Sequence, residues 1–112
     1  MEFENLVHQT FNKLKEVYPI ENVYLNIYPL YNPNTLGEAN IYSKQIGISP
    51  TLFGDNVGTG YLRERKIQEK HNLAKVGFIK WIVCHEFAHV YYQTNKHTIE
   101  FFNNVEQMYL SI

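Results

Sequence analysis

Residues 78–102 read FIKWIVCHEFAHVYYQTNKHTIEFF, and at their centre His85-Glu86-Phe87-Ala88-His89 forms an H-E-x-x-H pattern. On an α-helix, two residues four apart sit about 40° apart around the axis and one turn along it, so both imidazoles can reach a single ion. Glu86 leaves the same helix about 100° further round. That places it close enough to take a proton from a metal-bound water without being a ligand itself. Val76, Phe78, Ile79, Trp81, Ile82 and Val83 make the preceding segment nearly continuous in apolar residues, with no proline. This pattern predicts a buried helix from near Asn72 to about Thr94. His, Glu and His on such a helix would be costly if unpaired, and an ion that takes a lone pair from each ring removes most of that cost. The plain alternative is a histidine pair satisfied within a structural helix.

A catalytic zinc site needs a third protein ligand. His97 follows His89 beyond Gln93-Thr94-Asn95-Lys96, where the helix is expected to stop with Asn95 in the left-handed conformation that Asn tolerates. A second amphipathic stretch then begins with Ile99, Phe101, Phe102, Val105, Met108 and Tyr109. If it doubles back, His97 at its start faces the first helix. Glu100 and Glu106 on the second helix are the competing candidates and would give a His, His, Glu site.

H-E-F-A-H followed by H-T-I-E-F resembles the small zincin metallopeptidases of the SprT-like group, with the related WLM and YgjP-like proteins. In these a helical H-E-x-x-H precedes a third His followed shortly by an aromatic residue. Upstream, Leu36-Gly37-Glu38-Ala39-Asn40-Ile41-Tyr42 and Ile46-Gly47-Ile48-Ser49-Pro50-Thr51-Leu52-Phe53 resemble the SprT-like hairpin and the strand end it runs into. The resemblance spans roughly positions 36–110. It implies a Zn²⁺ site of His85, His89 and His97 with Glu86 as general base. The chain departs from the group in lacking a C-terminal CxxC zinc ribbon, since Cys84 is its one cysteine, and this weakens a link to DNA. It is not a metzincin either, which would want Gly at the Tyr92 position and His at Asn95.

Composition bounds the rest. A chain of 112 residues with 45% hydrophobic residues is expected to form one domain over 1–112 around a single core. A formal charge of -1 exerts no global pull toward nucleic acid or anionic membrane. One cysteine excludes an internal disulfide framework and fits a reducing compartment. With no membrane-span-length apolar run and no signal-peptide pattern at the N-terminus, a cytoplasmic location is expected.

Along the chain, Phe3, Leu6, Val7, Thr10, Phe11, Leu14, Val17 and Tyr18 recur at helical spacing over residues 2–18, before Pro19; this predicts a packing helix, with His8 at its surface. Val23, Leu25 and Ile27 alternate with Tyr24, Asn26 and Tyr28, predicting a strand over 22–28. Strands over 38–42 and 45–49, separated by Ser43-Lys44, complete a small antiparallel sheet. An open edge of that sheet would hold an extended peptide by its backbone. Ser49-Pro50 reads as a helix start through about Phe53, and the three glycines in residues 54–60 as a loop with no phosphate-binding ending. RERKIQEKHNLAK at 63–75 reads as a solvated helical face, and is where any DNA contact would have to be made. His71 reads as surface, Cys84 as a small buried thiol, and Tyr91 and Tyr92 as packing residues that are also candidate donors to an oxyanion.

The expectation is therefore an α+β zincin-like domain: an N-terminal helix, a three-stranded antiparallel sheet, the metal helix and a closing C-terminal helix. Its expected function is zinc-dependent hydrolysis of a peptide or protein substrate, Glu86 taking the water proton and passing it to the leaving amine. A non-catalytic zinc-binding module, and an interaction domain using the basic stretch, are the readings from other classes.

Overall fold

The computed structural model describes residues 2–30, 35–50 and 75–112. The loop over 54–60, His71, nearly all of the basic run and the helix expected after Pro50 lie outside the described residues.

Helix α1, Glu2–Val17, puts Val7, Phe11 and Leu14 into the core. Thr10 lies on the same buried face because its hydroxyl donates to the Leu6 carbonyl one turn back, at 2.7 Å, so no polar group is stranded. His8 is exposed, as its place beside the stripe predicts. Strand β1, Tyr24–Ile27, keeps Leu25 and Ile27 half-buried and Tyr24 and Asn26 exposed.

Strands β2, Gly37–Asn40, and β3, Gln45–Ile48, form the expected hairpin, joined by a turn over 41–44 in which Lys44 is left-handed at φ 57°. The sheet as a whole corrects the expectation of antiparallel pairing throughout. Its order is β1-β3-β2, with β1 parallel to β3 and only β2 antiparallel to it. Alternating side chains specify a strand and its buried face but not the direction of its neighbour. The hairpin places β3 between β1 and β2. Among the described strands, β2 is thus an edge.

Helix α2, Lys75–Tyr91, packs against α1, the sheet and the last helix. Phe78, Ile79, Trp81, Ile82, Val83, Cys84, Phe87, Ala88 and Val90 are all buried, the behaviour of a helix apolar on every side. Each fully buried large side chain there contributes roughly 1.5–3 kcal/mol of hydrophobic burial. Helix α3, Ile99–Leu110, then folds back on α2 through Phe101, Val105 and Met108. This α+β arrangement of three described helices and a three-stranded sheet is the one expected from the sequence, apart from the parallel pairing of β1 with β3. Among the described residues no helix is long and apolar enough to cross a membrane.

Candidate metal centre

The fixed side of the site is α2. His85, Glu86 and His89 are only 5%, 5% and 6% exposed, held by a helix whose other faces are core. The other side is the reversal over 92–98. It begins with a Schellman cap: Thr94 N–H bonds the His89 carbonyl at 3.0 Å and Gln93 N–H bonds the Val90 carbonyl at 3.3 Å, with Gln93 left-handed at φ 52°. The left-handed residue is therefore Gln93 and not Asn95, two positions earlier than expected, because the helix already ends at Tyr91. The Gln93 side chain helps to hold this conformation, donating to the carbonyls of Val90 at 2.8 Å and of Ile41 at 3.0 Å. The second bond ties the end of α2 to the β2–β3 turn. Thr98 then caps α3, its hydroxyl accepting from Phe101 N–H at 3.1 Å.

These two turns bring His97 onto His85 and His89. The three Nε2 atoms lie 3.2, 3.2 and 3.1 Å apart, while the ring centroids are 4.9, 5.1 and 4.8 Å apart. Nitrogens closer than their rings in all three pairs mean rings that splay outward from a shared centre. A tetrahedral zinc with bonds of about 2.0–2.1 Å requires ligand nitrogens about 3.3 Å apart. The donor set fits such an ion in spacing, in convergence and in chemistry, since imidazole is a favoured ligand for zinc. Glu100 and Glu106, the competing third ligands, do not belong to this cluster among the described residues. His97 does, and its exposure leaves the centre reachable from solvent.

Outer contacts fix the rings. His89 Nδ1 lies 2.6 Å from the Thr94 carbonyl; only a protonated Nδ1 can make that bond, so in the neutral ring Nε2 carries the lone pair. Phe101, buried at the head of α3, stacks on His89 at 4.4 Å and meets His85 and His97 edge-on at 5.2 and 5.6 Å. Burial, reinforced by the neighbouring His89 and His97 rings, pushes His85 down to about 3. His89 is also lowered, chiefly by burial and further by His97, against an opposing pull from the Thr94 carbonyl. Both rings are thus neutral near pH 7 and offer lone pairs with little competition from protons.

Glu86 points toward the sheet. A Cβ placed on Gly37 would stand 2.8 Å from Glu86 Cγ, 3.0 Å from Oε2 and 3.2 Å from Cδ. The first residue of β2 must therefore lack a side chain for this carboxylate to lie where it does. Gly37, Phe101 and the Thr94 carbonyl were not singled out as site residues from sequence. A glycine opening a strand was the available signal for the first, and an aromatic soon after the third His for the second. A backbone carbonyl leaves no sequence signal.

Other candidates take ordinary places. Tyr91 stacks on Phe87 at 6.1 Å and packs edge-on against Tyr18 at 5.3 Å, and Tyr92 packs edge-on against Tyr91 at 5.0 Å. No described contact joins either phenol to the imidazoles. Cys84 is fully buried, and burial raises its thiol to about 12, so it is inert as a nucleophile near neutral pH.

Neither a protein-family model nor a curated protein matches the chain. Among solved structures, the metallopeptidase zymogen abylysin of Pyrococcus abyssi is similar in fold, with a TM-score of 0.53 and 18% identity over 94% of this chain and 77% of that one. The chain therefore has the α+β fold seen in a metallopeptidase and carries, where α2 meets α3, a three-histidine cluster able to hold a metal ion.

Proposed function

We propose that the protein is a zinc-dependent metallopeptidase, in which His85, His89 and His97 hold the ion and Glu86 is the general base. The observation that carries this reading is the convergence of three imidazole nitrogens 3.1–3.2 Å apart, two of them from a helix that also buries a carboxylate. A bound zinc would supply Lewis acidity, activating water and polarising the scissile carbonyl. Glu86 takes the proton of the attacking water and delivers it to the leaving amine nitrogen. The neutral His85 and His89 rings would offer their Nε2 lone pairs to the ion. Gly37 leaves the Glu86 carboxylate room beside β2.

The substrate we infer is a peptide in extended form lying along β2. Ser49 N–H bonds the Leu36 carbonyl at 2.9 Å, and these two residues stand opposite each other in the register that pairs Gly37 with Ile48. Alternation along the ladder then turns the N–H and C=O groups of Gly37 and Ala39 away from β3, toward the edge. Ile41, next in that series, gives its carbonyl to Gln93. Backbone groups at an edge hold a peptide independently of its sequence.

Within the peptidases, the H-E-F-A-H and H-T-I-E-F segments favour kinship with the SprT-like group. The one cysteine, a buried thiol, suits action in the cytoplasm. Any association with DNA would fall to the basic run at 63–75. The similar structure is that of a zymogen, so a latent form that binds zinc without cleaving is the second reading. Zinc-loaded wild type and Glu86→Gln, incubated with unfolded protein and peptide mixtures, separate the two. Zinc- and Glu86-dependent cleavage supports the peptidase; stoichiometric zinc with no cleavage in either supports the latent module.

A further inference from the structure

Beyond the hydrolytic centre, the exposed face of the sheet holds an open cavity of about 380 Å³ beside β2, lined by Tyr28, Glu38, Asn40, Tyr42, Gln45 and Asn95 together with Ala39 and Ile41. Its construction is specific. Gly47, at the middle of β3, has no side chain, and a Cβ there would stand 2.8 Å from Tyr28 Oη. The Tyr28 ring thus crosses the sheet over Gly47, and its hydroxyl donates to Glu38 Oε1 at 2.6 Å. A short bond from a neutral donor to a carboxylate holds the acceptor in place while leaving its charge intact. Glu38 is the one carboxylate, and no lysine or arginine is present, among the described residues that line the cavity.

We infer that this cavity is a substrate subsite that selects a basic side chain, lysine or arginine, with Glu38 as its specificity residue. The inference rests on the reading of β2 as the strand that pairs with an extended peptide. A peptide residue opposite Glu38 on that edge projects its side chain to the same face as Glu38, because cross-strand partners share a face with their Cβ atoms about 4.5–5.5 Å apart. An ammonium or guanidinium group extending from there reaches the oriented carboxylate. Glu38 directly follows Gly37, which touches the Glu86 side chain. One residue of strand advance is about 3.3 Å, so the selected position lies within about three residues of the bond that is cut.

The test uses the full zinc-loaded chain and matched peptides that differ only in lysine, methionine or glutamate at a scanned position. Expected is a preference for lysine of about two- to five-fold in kcat/KM, the scale of an exposed cross-strand charge pair, confined to one position near the cut. Glu38→Gln should bring that ratio to about one, and Glu38→Lys should reverse it in favour of glutamate. Tyr28→Phe, which frees the carboxylate, should reduce the ratio without reversing it. Zinc- and Glu86-dependent cleavage with no basic preference, or a preference that survives Glu38→Gln, overturns the inference and leaves the peptidase reading standing. If no peptide is cut, the peptidase reading fails by itself, and binding of the same peptides to zinc-loaded Glu86→Gln still decides the subsite. Tighter, salt-sensitive binding of the lysine peptide that is lost on adding Glu38→Gln supports it, and equal binding overturns it.

Discussion

Helix α2 and the reversal over 92–98 both present imidazoles to the same point, but different forces position them. His85 and His89 lie in a stretch of helix, residues 81–90, that is buried throughout, so their backbone is fixed by core packing. His97 is exposed and is placed by a handful of local devices: the Schellman cap at Gln93, the side-chain bonds of Gln93 and the Thr98 cap. In the proposed centre, a buried pair of imidazoles and an exposed third would combine preorganisation with access. On that reading the buried side would set where an ion sits, and the exposed side would leave it open to a substrate.

The sharpest way to separate chemistry from scaffolding on the buried side is Glu86→Gln, which keeps the shape of the side chain and removes the base. Hydrolysis should fall by about 10²–10⁴-fold with zinc content unchanged; undiminished turnover would remove Glu86 from the mechanism. The exposed side breaks at His97→Ala. Zinc affinity should drop by more than the roughly 10–100-fold typical of losing an outer-sphere partner, with little change in the melting temperature of the metal-free protein. A variant binding zinc as tightly as wild type would return Glu100 or Glu106 to consideration.

The difference between the two regions also governs what the sequence discloses. The uninterrupted apolar run before His85 makes α2 legible as a buried helix, and the H-E-x-x-H spacing fixes which pair shares a face. The stripe from Phe3 to Leu14 does the same for α1. What stays hidden depends on contacts between distant segments. Alternation in β1 cannot reveal that its neighbour is β3 and runs parallel. The choice among His97, Glu100 and Glu106 is open by spacing alone; it narrows once Phe101, Val105 and Met108 are seen to be the face of α3 turned to α2. Gln93 carries no preference for left-handed backbone, and its fitness for the cap comes from side-chain bonds to carbonyls in two segments. Gly37 reads as an ordinary strand glycine until Glu86 is found packed against it.

Gly37→Ala brings a smaller loss on the buried side. The added methyl contacts Glu86 Cγ and Oε2 and must push the carboxylate aside, so kcat should fall by roughly tenfold, as a misplaced catalytic group loses rate steeply. Zinc affinity should be retained; equal losses in zinc and in rate would mark a general disruption instead.

Acid should reveal the buried rings in the metal-free protein. His85 titrates near 6.5 when unfolded and at about 3 when folded, so between those values the unfolded chain holds a proton that the native chain does not. Stability is then complete above pH 6.5 and declines as pH falls toward 3. The lowered His89 acts in the same direction. Thermal melts from pH 7.5 to 4 without metal check this, and a flat profile would contradict the burial of these rings.

Gln93→Gly carries the smallest effect. Glycine relieves left-handed strain of roughly 1 kcal/mol but loses the bonds to Ile41 and Val90, so the melting temperature should move by only a few degrees. A much larger loss would make those bonds the dominant tether of the reversal.

The central claim is the convergence of the three imidazoles upon one ion, and crystals of the zinc-loaded protein measured on both sides of the zinc absorption edge address it directly. The account predicts a single anomalous peak within about 2.0–2.1 Å of Nε2 in His85, His89 and His97, absent from His97→Ala. No peak at that point, or one bound through Glu100 or Glu106 instead of His97, would contradict it.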